Sequence, residues 1–360
     1  MSVPPPLAAW HITSTVLCGP LEQEALYFYE NVFGKLSPKT FIWSLLAVVL
    51  RYAFDDATTM HLLLAACLAH MSQQREDQAT MRSAKLHFDV GSRLLVAGSQ
   101  ADQVDHCRSF INFWFLQLIY RAIWDEQARC AMKKLSASMA QYVQRYGLLD
   151  MLQEEDRTGG PGAGSGKPRY EQALPVAEKG FLARFLLFVA YEDLDSEFCD
   201  AGGALSSLIL VHGATSDAIF VASQNSHAPF GPDYPPEELA DDIARSKPLE
   251  MHFHANLALA QINQLYKQSN PSAQELRDVY DRLQWIRQQY ANIFQLAETP
   301  CGVGEKLMTT TASVVANFKA VLVYCLRAMA AQPSLSGDSG TAEKLRAAKQ
   351  DLIYSVGLFF

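Results

Sequence analysis

Closely spaced cysteines are missing from this sequence. Cys18, Cys67, Cys107, Cys130, Cys199, Cys301 and Cys325 are scattered, and no two form a Cys-x-x-Cys pair. That excludes a cysteine-knuckle zinc site or a thioredoxin-type motif, and an odd, dispersed set predicts reduced thiols in cytosol or nucleus, several of them simply small buried hydrophobes. Charge is also scarce, at 19% of residues, and it is not basic: 30 Lys and Arg face 38 Asp and Glu, for a net charge of -8. A chain so balanced is not expected to grip nucleic acid directly. Period-two runs of β-branched residues are almost absent, which argues against a substantial sheet. The strongly apolar stretches Phe41 to Leu50 and Phe181 to Tyr191 fall short of the ~18–20 residues of a membrane span. Residues 1–17 lack the basic flank of a signal peptide, and prolines interrupt their apolar run. The chain is therefore expected to be nuclear or cytoplasmic, with no membrane partner and no secretion.

What remains is a composition that folds. Hydrophobic residues make up 49% and aromatics 11% of 360 positions, enough for one large domain or two smaller ones. Apolar residues recur at helical spacing nearly throughout, so the chain is read as all-α, an irregular array of roughly twelve helices. Helices are predicted over Leu21–Phe33, Phe41–Phe54, Thr58–Met71, Gln78–Ala97, Gln103–Trp124 and Asp125–Tyr146. Ala65, Ala66 and Ala69 would let a neighbouring helix approach closely. Further helices are expected at Leu182–Tyr191, at Ala204–Val211 (or a short strand there), briefly at Glu237–Ala244, then at Pro248–Tyr266, Ser272–Phe294, Leu307–Ala331 and Thr341–Phe360. Residues 154–179 are rich in glycine and read as a flexible connection, so a single helical domain over 1–360 could subdivide into halves at 20–153 and 180–360.

Chemistry-bearing motifs are few. Gly166-Lys167 suggests a phosphate-binding loop, but Pro161 stands where its first glycine belongs and Pro168 replaces the metal-binding hydroxyl. The acids of YEDLDSEF, with Glu192 beside Asp195, could hold a hard cation or transfer protons; a solvated, ion-paired helix end is the simpler reading. His252 and His254 cannot share a metal on a helix, where positions i and i+2 diverge, so no metal site and no cofactor is expected. His61, His70, His87 and His106 read as lone histidines within helices, and neither Cys107 nor Cys130 shows a sign of activation. The aromatic run Phe110, Phe113, Trp114, Phe115, Tyr120 and Trp124 reads most simply as core, with the alternative that Phe110, Trp114 and Tyr191 line an apolar ligand pocket.

In this order, several segments resemble the regulatory domain of fungal-specific transcription factors. They are ALYFYENVFGKLSP, FDDATTMHLLLAACLAHMS, FLARFLLFVAYEDLDSEF followed by Gly202-Gly203, and ASVVANFKAVLVYCLRAM; the likeness spans residues 20 to 330. The family's zinc binuclear-cluster head is missing, because Cys18 is the only cysteine before Cys67. The resemblance implies a regulatory, ligand-responsive or protein-binding module in transcriptional control. Its implied partners are the transcription machinery or a co-regulator and a small apolar effector, with a homodimer left open. Two alternatives stand beside it. One is an enzyme or auxiliary factor of secondary metabolism on the same scaffold, with Glu192, Asp195 and His252 as its first polar groups. The other is a structural adaptor of chromatin or kinetochore.

Overall fold

The computed structural model describes residues 16–34, 39–98, 104–153, 174–211, 213–268, 272–298, 305–332 and 339–357. Most of the glycine-rich segment, residues 333–338 and the Gly302-Val303-Gly304 triplet lie outside the described residues. Among the described residues there are fifteen α-helices and no strand, so the all-α reading holds with a few more helices than expected. In chain order the first eight are α1 Pro20–Phe28, α2 Leu45–Asp55, α3 Ala57–Arg75, α4 Gln78–Gly98, α5 His106–Ile123, α6 Glu126–Arg145, α7 Leu148–Gln153 and α8 Val176–Glu197. Then come α9 Ala204–Leu210, α10 Gly213–Ser223, α11 Pro236–Lys267, α12 Ala273–Gln289, α13 Ala291–Ala297, α14 Glu305–Ala331 and α15 Ser339–Gly357. They group into two compact units, one of residues 1–205 with 217–234 and the other of 206–216 with 235–360.

Helix starts follow from side-chain caps. Ser44, Asp56, Asp105 and Asp125 each accept a backbone N–H three residues on, which satisfies a donor the helix itself cannot. The Ser44 cap places the start of α2 later than the pattern predicted, with Phe41–Trp43 forming a single 3-10 turn before it. Trp124, at φ 32, ends α5, and Gly147, at φ 59, separates α6 from α7.

In the first unit α3 is apolar on nearly every side and runs through the middle, packed along α4 and against α5. Ala65, Ala66 and Ala69 are all buried there, as close approach requires. Gly91 of α4 completes the contact, since a Cβ at that position would sit 2.9 Å from Leu62 Cδ2. The Tyr29 hydroxyl, deep in the core, donates to the Leu46 carbonyl at 3.0 Å and so ties the first helical segment to α2.

Three expectations are corrected in the later part of the chain. α11 runs unbroken for 32 residues through Pro248, where two separate helices were expected. Proline removes one helical hydrogen bond and crowds the preceding turn. The Ser246 hydroxyl donates to the Ile243 carbonyl at 2.7 Å and Arg245 Nε to the Asp241 carbonyl at 3.1 Å, bonds to carbonyls other than that of Ala244, which Pro248 cannot serve. Conversely, the expected single helix Ser272–Phe294 divides at Tyr290 into α12 and α13, although its start carries the reciprocal Ser272–Glu275 capping box. The short-strand alternative at Ala204–Val211 is also overturned, because α9 occupies those residues.

α14 packs along α11 and α15. Its segment Lys306–Ala331 is, among the described residues, the one helix long and apolar enough to cross a membrane, a stretch the sequence reading passed over. Of its apolar window 56% is buried inside the fold. The Lys319 ammonium, almost wholly buried, donates to Asp351 Oδ1 and to Ser355 Oγ, both at 2.7 Å, and so anchors α15. Lys319→Met is expected to cost about 1–2 kcal/mol. Hydrogen exchange should show lost protection across residues 339–357 and little change in α12.

Candidate functional site

Phe110, Trp114, Gln117 and Arg121 recur on α5 at intervals of four, three and four, so helical geometry sets them on one face. Cys107, Trp114 and Arg121 meet α8, which runs in the same direction: the Cys107 thiol lies 3.9 Å from the Glu178 carbonyl, Trp114 meets Phe185, and Arg121 meets Glu192. The Trp114 ring stands edge-on to Phe185 and Phe188, at centroid distances of 5.7 and 5.6 Å. One turn further on the seam turns polar. The Arg121 guanidinium donates to the Glu192 carboxylate, to the Glu192 carbonyl at 2.6 Å and to Ser196 Oγ at 3.0 Å. Burial pushes the guanidinium down from its ordinary pKa, opposed by the charges of Asp195 and Asp193.

Beyond Glu192 the helix ends on a buried carboxylate. Asp193 accepts the Gly203 N–H at 3.0 Å, so the turn Phe198–Gly203 folds back over it. Gly203, at φ 97, adopts a backbone conformation that favours glycine, and a Cβ on Gly202 would lie 2.5 Å from the Asp193 carbonyl oxygen. The Gly202-Gly203 pair is thereby explained by packing.

Of the residues expected to line a pocket, Trp114 stands at this seam, whereas the Phe110 ring meets Phe113 and, on α6, Tyr142. Phe110 and Trp114 are buried, and Tyr191 is half-buried on α8, where burial raises its phenol pKa with Arg184 opposing. The acid pair is divided in role: Glu192 is held by Arg121, whereas Asp195 is exposed, its carboxyl raised by the loss of solvent against the packed helix and drawn back by Arg121. His252 belongs to the second unit. There the Asn256 amide nitrogen, within 3.1 Å of both the His252 carbonyl and its Nε2, acts as donor to each. On the other side of the ring the Asn317 amide nitrogen lies 3.2 Å from His252 Nδ1, and the tautomer decides which ring nitrogen accepts. His252 is thus a strut between α11 and α14. His254 lies on the same helix, where the i, i+2 spacing turns it to another side, and among the described residues no three histidine, cysteine or acidic side chains are placed to hold a metal. Cys107, weighed as a nucleophile, is buried, and its thiol is pushed up to about 12 chiefly by that burial, then by Asp105. It is a poor thiolate.

Two features escaped the sequence reading. Gln117 and Arg121 continue the spacing of Phe110 and Trp114, and extending that series would have found them. The second feature corrects the picture of lone histidines. His61 of α3 and His87 of α4 face each other Nδ1 to Nδ1 at 2.8 Å, and His87 Nε2 lies 3.4 Å from Glu22 Oε1. Their separation of 26 residues across a helical hairpin left no local signal. His70 Nδ1 donates to the Ala66 carbonyl, and His106 Nδ1 meets the Tyr142 hydroxyl, each at 2.9 Å.

Facing Nδ1 atoms can share one proton and cannot both carry one. The pKa of His61 is lowered by burial and then by His87, and those of His70 and His106 are lowered chiefly by burial. Each therefore binds its proton less tightly folded than unfolded, so the unfolded chain takes up more protons as pH drops below about 6.5. Stability is expected to be full above that pH, to fall through the window between the unfolded and folded pKa values, and to level off below it. Thermal midpoints at pH 7.5 and 5.5 test this, the lower pH giving the lower midpoint. A His61→Asn, His87→Asn double variant should lose part of the difference, and a pH-independent midpoint would contradict it.

Compared with known protein families, curated proteins and solved structures, the chain matches none.

Proposed function

We propose that this chain is a regulatory module of transcriptional control, acting through a co-regulator or a small apolar effector without a DNA-binding zinc cluster of its own. One observation carries the reading: Glu192 and His252, two of the three polar groups that an enzyme would use here, are committed to joining helices. Arg121 and Glu192 join α5 to α8, His61 and His87 join α3 to α4, and His252 and Asn317 join α11 to α14. Polar joints between helices suit an array with two packings, because geometry-dependent bonds at a seam hold one arrangement until a ligand or partner favours the other. The resemblance of its segments to the regulatory domain of fungal-specific transcription factors supports the same reading. On this account the module works in the nucleus.

The experiment is to tether the full chain upstream of a reporter through an unrelated DNA-binding domain. Output several-fold above or below that of the DNA-binding domain alone is expected. Unchanged output from a fusion shown to be folded, expressed and nuclear would refute the reading.

A further inference from the structure

Buried polar atoms in a folded protein almost always find a hydrogen-bond partner, because leaving one unmet costs the free energy of stripping it of water. On α5 four such atoms stand unmet among the described residues, Arg108 Nε, Asn112 Oδ1, Trp114 Nε1 and Gln117 Oε1, and the last three belong to residues at least nine-tenths buried. Asn112 points from another side of the helix. Trp114 and Gln117 are one turn apart on the α8-facing side, the spacing that brings side chains within ~5–6 Å of each other at Cβ. One offers a donor and the other an acceptor.

We propose that the seam between α5 and α8 is a binding site for a neutral, planar, largely apolar molecule, presenting a carbonyl oxygen to Trp114 Nε1–H and an adjacent N–H or O–H to Gln117 Oε1. The proposal deepens the regulatory reading and rests on it for its biological sense. Neutrality follows from the electrostatics of the seam. Arg121, the cation one turn from Gln117, is already matched to Glu192 and Ser196, so an anion drawn to it would have to break that clamp. Planarity follows from the rings of Phe185 and Phe188, which stand beside the indole. Phe188 and Tyr191 are half-buried where the rings around them are covered, which makes them the edge where the seam opens. Entry requires Phe188 to turn aside. The ligand would then lie one helical turn from the Arg121 clamp, close enough to shift how α5 and α8 pack.

Isothermal titration of the full chain with three probes tests this: 2-quinolinone, which has the acceptor and the donor side by side; its N-methyl derivative, which keeps only the acceptor; and 2-naphthoate, which is planar but anionic. Saturable binding of 2-quinolinone is expected, about tenfold weaker for the N-methyl derivative, and absent for 2-naphthoate. Gln117→Met should weaken 2-quinolinone about tenfold while raising the thermal midpoint of the free chain, since it removes an unmet acceptor. Trp114→Phe, checked for native helix content, should weaken both quinolinones alike. The proposal is overturned if no probe binds, if the two quinolinones bind equally, if Gln117→Met leaves affinity unchanged, or if a crystal structure of the saturated complex shows only water at Trp114 and Gln117. A responsive tethered reporter without quinolinone binding would sink this site alone, and binding with a silent reporter would sink the regulatory reading alone.

Discussion

Gly202→Ala is expected to lower the stability of the first unit by about 3 kcal/mol, a drop of roughly 6–12 °C in thermal midpoint for a unit of this size. The added Cβ would lie 2.5 Å from the Asp193 carbonyl oxygen and 2.9 Å from both Asp193 Oδ1 and Ser196 Cβ. None of these is the free end of a long side chain. The carbonyl belongs to the last turns of α8, and the carboxylate is fixed by its bond from the Gly203 N–H. Relief would require moving the turn, which uncovers a buried carboxylate. Gly98, the last residue of α4, has nothing within 4 Å of its ideal Cβ, so Gly98→Ala serves as control. It should be neutral or stabilise by about 0.5–1 kcal/mol. Calorimetry on the two variants separates a packing requirement from a general cost of losing glycine. Similar midpoints for both would contradict this account of the Gly202-Gly203 pair.

Arg121→Met is expected to cost about 2–3 kcal/mol, below the usual figure for a fully buried pair because both side chains keep about a quarter of their exposure. Methionine retains the bulk of the aliphatic stem, so the loss falls on the hydrogen bonds and on Glu192, whose carboxylate would be left half-buried without its cation. Arg121→Lys should not rescue it fully. A lysine is a single point charge and cannot meet the Glu192 carboxylate, the Glu192 carbonyl and Ser196 Oγ with the planar fork that arginine provides. Urea unfolding of the three proteins measures the differences.

Helix identity was legible because it rests on local chemistry: apolar spacing along α3, α4 and α12, and capping oxygens at Asp56 and Ser272. Boundaries failed where a non-local contact or a side chain overruled a local signal. Pro248 reads as a helix break, yet α11 continues through it with the proline buried. Tyr290 reads as one more apolar position in a regular series, yet the helix divides there. The candidate site was half legible. The aromatic positions Phe110 and Trp114 stood out by composition, whereas Gln117 and Arg121 looked like ordinary polar residues, and their meaning depends on α8, some seventy residues away. Glu192 and Asp195 look equivalent in the sequence; only the position of Arg121 makes one a helix tie and leaves the other at the surface. The pairing of His61 with His87 depends on the register of α3 against α4, which spacing within either helix does not encode.

The central claim is that Arg121 and Glu192 serve to hold α5 and α8 together, and a double-mutant cycle on the two tests it most directly. Unfolding free energies would be measured for the parent chain, Arg121→Met, Glu192→Gln and the double variant. The account predicts a coupling of about 2 kcal/mol, with the double variant much less destabilised than the sum of the single ones. Additive losses would contradict it, since they would mean that Arg121 and Glu192 act independently and that the seam is held by its apolar rings alone.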